Sequence, residues 1–244
     1  MTESPGWLIT GASRGIGAAI AREAHRQGCR VAVIARGEAA EQVAANLGQG
    51  AIAIRADISV AQSAAEAVEQ IIATWGRLDV VVNNAGVHRG GRVSRLSDKH
   101  WREVLDVNLT GALNVIRAAV PHLSSGASII NIGAVVGFRG FPGDVAYASS
   151  KAGLSGMTKA LSIELARKGI TVNLVVPGLV LTEMTSGLTD AAMETMKQQI
   201  PIGRLGQESE IAAVAYWVAQ SRYMTGATIP VDGGLLCSFG VIGQ

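Results

Sequence analysis

Between Trp7 and Val231 the chain alternates short, β-branched apolar runs with longer stretches of helical apolar spacing, and few folds accommodate that alternation. The apolar runs are Trp7–Thr10, Arg30–Ala35, Ala51–Arg55, Leu78–Asn83, Ser128–Ile132, Ile170–Val176 and Thr228–Val231. Helical spacing covers roughly Gly15–Arg26, Glu38–Leu47, Val60–Trp75, Asp98–Val120, a segment carrying Tyr147 that ends near Lys168-Gly169, and Glu208–Gln220. Runs such as Arg30-Val-Ala-Val-Ile-Ala35 are apolar without alternation, as strands covered on both faces must be. Successive parallel strands need a crossover, and a right-handed crossover packs each helix back onto the sheet. The expected fold is therefore α/β: a single-domain, Rossmann-like, doubly wound seven-stranded parallel sheet with helices on both faces. Ser59 and Gln62 have the spacing of a capping box for the third helix.

With no Pro- or Ser-rich linker and no block of like charges, residues 1–244 read as one domain. The long irregular stretch over residues 179–206 is the natural substrate lid within it. Apolar residues make up 48% of the chain and charged residues 16%, which argues against disorder. At a net charge of +2 with scattered basic residues, no stripe exists to track a nucleic acid backbone. Neither a secretion signal nor an apolar run of the ~18 residues that span a membrane is visible. Cys29 and Cys237 lack metal-ligand spacing, so no metal is expected; they suit a reducing cytoplasm and read as buried, inert thiols.

Ligands of doubly wound sheets sit at the carboxyl ends of the strands, where Thr10, Ala35, Asp57, Asn83, Ala134 and Pro177 all fall. Gly11-Ala-Ser13-Arg14-Gly15-Ile16-Gly17 follows the first strand and opens the first helix. Such glycines either make a plain turn or bring backbone N–H groups close to a pyrophosphate. On the second reading a side chain at Gly17 blocks the cofactor and leaves the fold intact. Dinucleotide folds that choose NAD place an acid after the second strand, whereas this chain has Ala35 and Arg36. Arg36 and Arg14 either converge on a 2′-phosphate, which selects NADP(H), or are solvated. Asp57-Ile58 offers a partner for adenine or a helix-start acid. Asn83-Asn84-Ala85-Gly86 suits backbone approach to a cofactor, and Pro177-Gly178 followed by Val180 and Thr182 places a hydroxyl toward the nicotinamide amide or forms an ordinary loop exit. Asn108 lies in an apolar helix, where its amide must satisfy a neighbouring backbone or hold a water. Tyr147 and Lys151 are four residues apart and share a helix face; the ammonium then favours the phenolate and makes the tyrosine a general acid or base.

Taken together, Thr10-Gly-Ala-Ser-Arg-Gly-Ile-Gly17, Asn83-Asn-Ala-Gly86, Asn108, Tyr147-x3-Lys151, Pro177-Gly178 and Val231-Asp-Gly-Gly234 resemble the short-chain dehydrogenase/reductase family over essentially the whole chain. Ile132-Gly-Ala-Val-Val-Gly137 and Ile202-Gly-Arg-Leu-Gly206 are similar to its 3-oxoacyl-(acyl-carrier-protein) and acetoacetyl-CoA reductase members. The resemblance implies hydride transfer between nicotinamide C4 and a small-molecule carbonyl substrate, with Tyr147 protonating the forming alkoxide. It implies that Lys151 binds the nicotinamide ribose and lowers the tyrosine pKa, that Asn108 holds a water, and that the protein is a homotetramer. The helices around Asn108 and Tyr147 and the apolar tail Leu235–Ile242 are the implied interfaces. The chain departs from the family at Ala134, thirteen residues before Tyr147, where the family has a serine that holds the substrate carbonyl. The basic pair of some family reductases is also missing, Ser124, Ser125 and Ser128 standing there, which weakens docking of a carrier protein and leaves Lys168 as a remaining contact. The reading is an NADPH-dependent carbonyl reductase impaired at Ala134, against a cofactor-binding structural or regulatory subunit. Recruitment of Ser149 for the missing hydroxyl is a third, weaker option, since it points elsewhere on the helix.

Overall fold

The computed structural model of the protein describes residues 4–181 and 190–238. In chain order its strands are β1 (Gly6–Thr10), β2 (Arg30–Ala35), β3 (Ala51–Arg55), β4 (Leu78–Asn83), β5 (Leu123–Ile132), β6 (Thr171–Pro177), β7 (Val180–Leu181), β8 (Gly206–Gln207) and β9 (Thr228–Val231). Seven of them form one parallel sheet in the order β3-β2-β1-β4-β5-β6-β9, while β7 and β8 pair with each other. The order runs outward from β1 through β2 to β3 and then reverses to β4 on the other side. That reversal opens a crevice above the carboxyl ends of β1 and β4.

The helices are α1 (Gly15–Arg26), α2 (Ala39–Leu47), α3 (Ala61–Trp75), α4 (Asp98–Leu105), α5 (Gly111–Ala119), α6 (Val136–Arg139), α7 (Val145–Ala166), α8 (Asp190–Gln198) and α9 (Glu208–Gln220). Alternate strand residues feed two cores, because successive side chains of a strand point to opposite faces. Trp7, Ile9, Val31 and Val33 pack with Ile20, Ala40 and Ala215 of α1, α2 and α9. Leu8, Ala32, Ile34 and Val81 pack with Ile71, Val115 and Leu165 of α3, α5 and α7. The seven-stranded, two-faced architecture expected from the alternation is the one observed.

Local departures have physical causes. The expected helix Asp98–Val120 is split by a π-helical turn over Asp106–Thr110 that carries Asn108. The expected capping box is not formed, because α3 starts one residue later than that spacing requires, with Val60 rather than Ser59 as its N-cap. Ser59 Oγ donates to Asp57 Oδ1 at 2.6 Å, the α3 N-cap is Val60, and Gln62 donates to Glu66 instead. A capping box does start α9, between Gln207 and Glu210. The stretch 179–206 is also less irregular than its composition suggests: β7 and α8 lie within it, β8 begins at its last residue, and its residues 182–189 are outside the described ones. Cys29 is buried as expected, and burial raises its thiol pKa, but Cys237 is exposed.

Candidate active site

Above the carboxyl ends of the strands lies a cavity of about 1140 Å³ that runs from Arg14 and Arg36 to Phe141 and Leu235. Among the sequence candidates it is lined by Gly11, Ser13, Arg14, Gly15 and Ile16 from the glycine loop and by Arg36, Asp57 and Ile58 beyond β2 and β3. Asn84, Ala85 and Gly86 line it after β4, Ala134 after β5, Tyr147 and Lys151 from α7, and Pro177, Gly178 and Val180 after β6. Gly17 and Asn108 stand behind the wall rather than in it, and Thr182 lies outside the described residues.

The glycine loop is held from β4. Thr10 Oγ1, fully buried, accepts the N–H groups of Asn84 and Ala85 at 3.0 Å each, and Asn84 Nδ2 donates to the carbonyls of Thr10 and Gly11 at 3.0 and 3.1 Å. Gly11 and Gly15 adopt φ of 64° and 61°, a region that side chains disfavour. A Cβ at Gly11 would lie 2.6 Å from Ala85 Cα, whereas one at Gly15 would meet nothing nearer than Glu208 Oε1 at 3.8 Å. Gly15 therefore faces open space, and α1 behind it has no side-chain cap on its first N–H groups. A helix start without a side-chain cap among the described residues, approached by glycine backbone, fits a pyrophosphate. The expectation for Gly17 needs correction. A Cβ there would strike Gly11 O at 2.5 Å and Ala12 Cα at 2.9 Å, so this glycine is required by the protein's own packing, and a side chain there would not leave the fold intact.

Asp57 accepts from the backbone N–H and the hydroxyl of Ser59, at 3.0 and 2.6 Å, which makes it a turn-former at the cavity edge. Asn108 is buried and its amide is committed to protein partners: Oδ1 accepts Val87 N–H at 2.8 Å, and Nδ2 donates to Val87 O at 3.0 Å and Ser150 Oγ at 3.1 Å. Of its two expected roles, the side chain performs the first, satisfying a neighbouring backbone. A Cβ on Gly86 would lie 3.4 Å from Asn108 Oδ1 and 3.7 Å from Lys151 Nζ, so the absence of a side chain there lets the three groups converge.

Tyr147 and Lys151 do share one face of α7, with Lys151 Nζ 5.7 Å from the tyrosine ring centroid. The electrostatics differ from the expectation of a lowered phenol pKa. Burial first, and then the Asp144 charge, push Tyr147 up to about 12, while burial pulls Lys151 down to about 8. Desolvation thus outweighs the attraction between ammonium and phenolate. Lys151 Nζ donates to Ile132 O at 2.8 Å. Ala134 begins the turn into α6, its carbonyl accepting from Gly137 N–H at 3.0 Å, and it lines the same cavity as Tyr147. Ser149 is exposed and does not line the cavity.

Several cavity residues escaped the sequence reading, among them His88, Arg139, Phe141 and Asp144, while Leu235, expected in a subunit interface, lines the cavity. His88 is the most notable. Its Nε2 pairs with Asp144 Oδ1 at 2.7 Å, and its ring stands perpendicular to that of Tyr147 with centroids 5.2 Å apart. The signal for it was its place, two residues past the small-residue run that ends β4, in a chain with 4 histidines.

Comparison with known proteins agrees with this geometry. A family model described as enoyl-(acyl carrier protein) reductase matches residues 11–236. The chain is 42% identical to the 3-oxoacyl-[acyl-carrier-protein] reductase of Staphylococcus aureus, with 96% of this chain and 98% of that protein covered. It is 43% identical to the enzyme of the same name from Pseudomonas aeruginosa, over 95% and 97% of the two chains. Among solved structures it resembles a short-chain dehydrogenase/reductase from Brucella melitensis at a TM-score of 0.92 and 34% identity, covering 96% of this chain and 97% of that one. It also resembles a blue fluorescent protein from a metagenomic library, solved in complex with NADPH, at a TM-score of 0.89 and 33% identity, covering 95% and 97%. On its fold, its cavity and these likenesses, the chain belongs to the short-chain dehydrogenase/reductase family of oxidoreductases.

Proposed function

We propose that the protein is an NADPH-dependent carbonyl reductase for a 3-oxoacyl thioester or small ketone, working with a slowed chemical step because Ala134 stands where a serine would hold the substrate oxygen. The observation that carries this reading is that Tyr147, Lys151 and Ala134 all line one cavity that also reaches the glycine loop. When bound, the nicotinamide supplies a hydride to the substrate carbonyl carbon. The chain's part is to orient that carbonyl, exclude water and deliver a proton. As negative charge builds on the substrate oxygen, the Tyr147 hydroxyl gives up its proton to it. Lys151, buried and able to donate, holds the nicotinamide ribose, and its charge then opposes the burial that keeps Tyr147 protonated. Asn108 fixes the Val87 backbone beneath Gly86 so that the nicotinamide end of the cavity keeps its width.

Gly11, Ser13, Arg14, Gly15 and Ile16 would carry the pyrophosphate side of the cofactor, and Asp57, Ile58, Asn84, Ala85 and Gly86 its adenine and ribose side. Arg36, exposed at the end of β2, and Arg14 would select the 2′-phosphate. Pro177, Gly178, Val180 and Thr182 complete the nicotinamide end, and residues 179–206 act as the lid over the substrate. We further propose a cytoplasmic homotetramer that accepts free or CoA-bound substrates more readily than carrier-bound ones. NADPH oxidation followed by absorbance, over 3-oxoacyl thioesters on CoA and on carrier protein, small cyclic ketones and an enoyl thioester, tests the assignment. If neither the unmodified chain nor its Ala134→Ser variant reduces any of them, the structural-subunit reading takes its place.

A further inference from the structure

His88 is fixed in place more thoroughly than a loop residue needs to be. Asn108 clamps both backbone groups of Val87 before it, and Arg89, in a bidentate pair with Glu103 at 3.0 and 2.6 Å, donates to the His88 carbonyl at 3.1 Å. Gly91 N–H donates to Gly143 O at 2.8 Å, tying the loop to the approach to α7. The imidazole is gripped as well: its Nε2 meets Asp144 at 2.7 Å, and a Cβ on Gly90 would lie 3.0 Å from His88 Cε1, so that glycine leaves room for the ring. Asp144 is the residue before α7 and makes no side-chain cap, its carboxylate being turned to His88. The second ring nitrogen, Nδ1, has no hydrogen-bond partner among the described residues, and the side chain, 36% exposed, lines the cavity beside Tyr147.

A ring held this way is a preorganised donor. In the imidazolium form both nitrogens carry protons, the one on Nε2 committed to Asp144 and the one on Nδ1 without a partner among the described residues. With alanine at position 134, the side chain there offers the substrate oxygen no hydroxyl. We propose that His88, oriented by Asp144, donates a hydrogen bond through Nδ1–H to the substrate carbonyl oxygen and so takes the part of the missing hydroxyl. The proposal rests on the reductase reading above. In the step itself hydride arrives at the carbonyl carbon, the C=O π pair moves to oxygen, and the Tyr147 proton forms the alcohol; the cofactor is oxidised and the carbonyl reduced. His88 keeps its proton throughout and stabilises the charge that develops on oxygen.

The test is a double-mutant cycle on the full chain with acetoacetyl-CoA and NADPH, comparing the unmodified protein, His88→Phe, Ala134→Ser and the double variant. Phenylalanine keeps the ring contact with Tyr147 and removes both nitrogens. In the Ala134 background His88→Phe should lower kcat by about 10²-fold, the usual effect of deleting an oxyanion donor. With serine present the same change should cost at least about tenfold less, because two donors to one atom are coupled. Equal losses in the two backgrounds, no loss at all, or activity that appears only with Ala134→Ser would overturn the proposal while leaving the reductase reading intact. Absence of turnover in every variant would remove both. An independent readout is the ¹⁵N resonance of the His88 ring in protein saturated with NADP⁺. Addition of acetoacetyl-CoA should shift Nδ1 and leave Nε2 nearly unmoved, and an unmoved Nδ1 would sink the idea.

Discussion

The ammonium of Lys151 lies 2.8 Å from the carbonyl oxygen of Ile132, the last residue of β5, so the sheet's carboxyl edge and the α7 helix meet through a buried cation. Protein atoms surround that cation with no carboxylate bonded to it in the described residues, and burial pulls its pKa from 10.5 to about 8.

A depressed lysine pKa makes stability depend on pH in a definite direction. Between about 8 and 10.5 the unfolded chain binds more protons at this site than the folded one, so stability rises with pH there, and the contribution is lost as pH falls through 8. Lys151→Met removes the buried charge. The cofactor-free variant should therefore gain on the unmodified protein by up to about 3 kcal/mol at pH 7, and the difference should shrink toward pH 10. Urea unfolding by circular dichroism at several pH values measures it; a difference that did not vary with pH would refute the assignment.

Ala134→Ser places a hydroxyl on the cavity wall beside Tyr147. Oxyanion donors are worth about 10²–10³ in turnover, so kcat should rise by an amount approaching that range, reduced by whatever His88 already supplies. Because the bond strengthens as charge develops, KM should change much less. Steady-state kinetics on the best thioester of the panel separates the two constants.

Arg36→Ala should weaken NADPH binding by about 1.5–3 kcal/mol, as expected for loss of a charge-assisted hydrogen bond to a phosphate, and leave NADH binding nearly unchanged. Calorimetric titration with both cofactors is the measurement. Equal affinities for NADPH and NADH in the unmodified protein would contradict the 2′-phosphate site.

Gly17→Ala should cost stability before it costs binding. The added methyl group meets backbone at Gly11 and Ala12 and the side-chain amide of Asn84, with no flexible partner able to give way on the backbone side. Overpacking of this kind costs about 1–3 kcal/mol, read as a fall in the urea midpoint. A variant of unaltered stability that no longer bound NADPH would return Gly17 to the cofactor.

What was legible in the sequence followed from periodicity and local spacing. Arg30–Ala35 announces a buried strand because β-branched residues fill it without interruption, and the strand forms over those residues. The glycine loop and the Tyr147–Lys151 pair were visible because each lies within a few residues of chain. The capping box does not form because Val60, not Ser59, is the N-cap of α3, and one residue of helix register cannot be read from the Ser59–Gln62 spacing. The tyrosine pKa was misjudged because spacing reveals the neighbouring charge and not the burial that opposes it. His88 and Asp144 are 56 residues apart, and nothing local to either one announces the other.

Thr10 and Asn84 are linked at 3.0 Å although 74 residues separate them, because β1 and β4 are neighbours in the sheet. During synthesis the glycine loop leaves the ribosome long before the residues that hold its carbonyls in place. A nascent chain that stops short of β4 has the whole glycine loop and lacks the strand against which Gly11 is shaped. The capacity to hold a dinucleotide thus arises when the second half of the sheet docks, and a chain abandoned midway would carry the motif without the pocket.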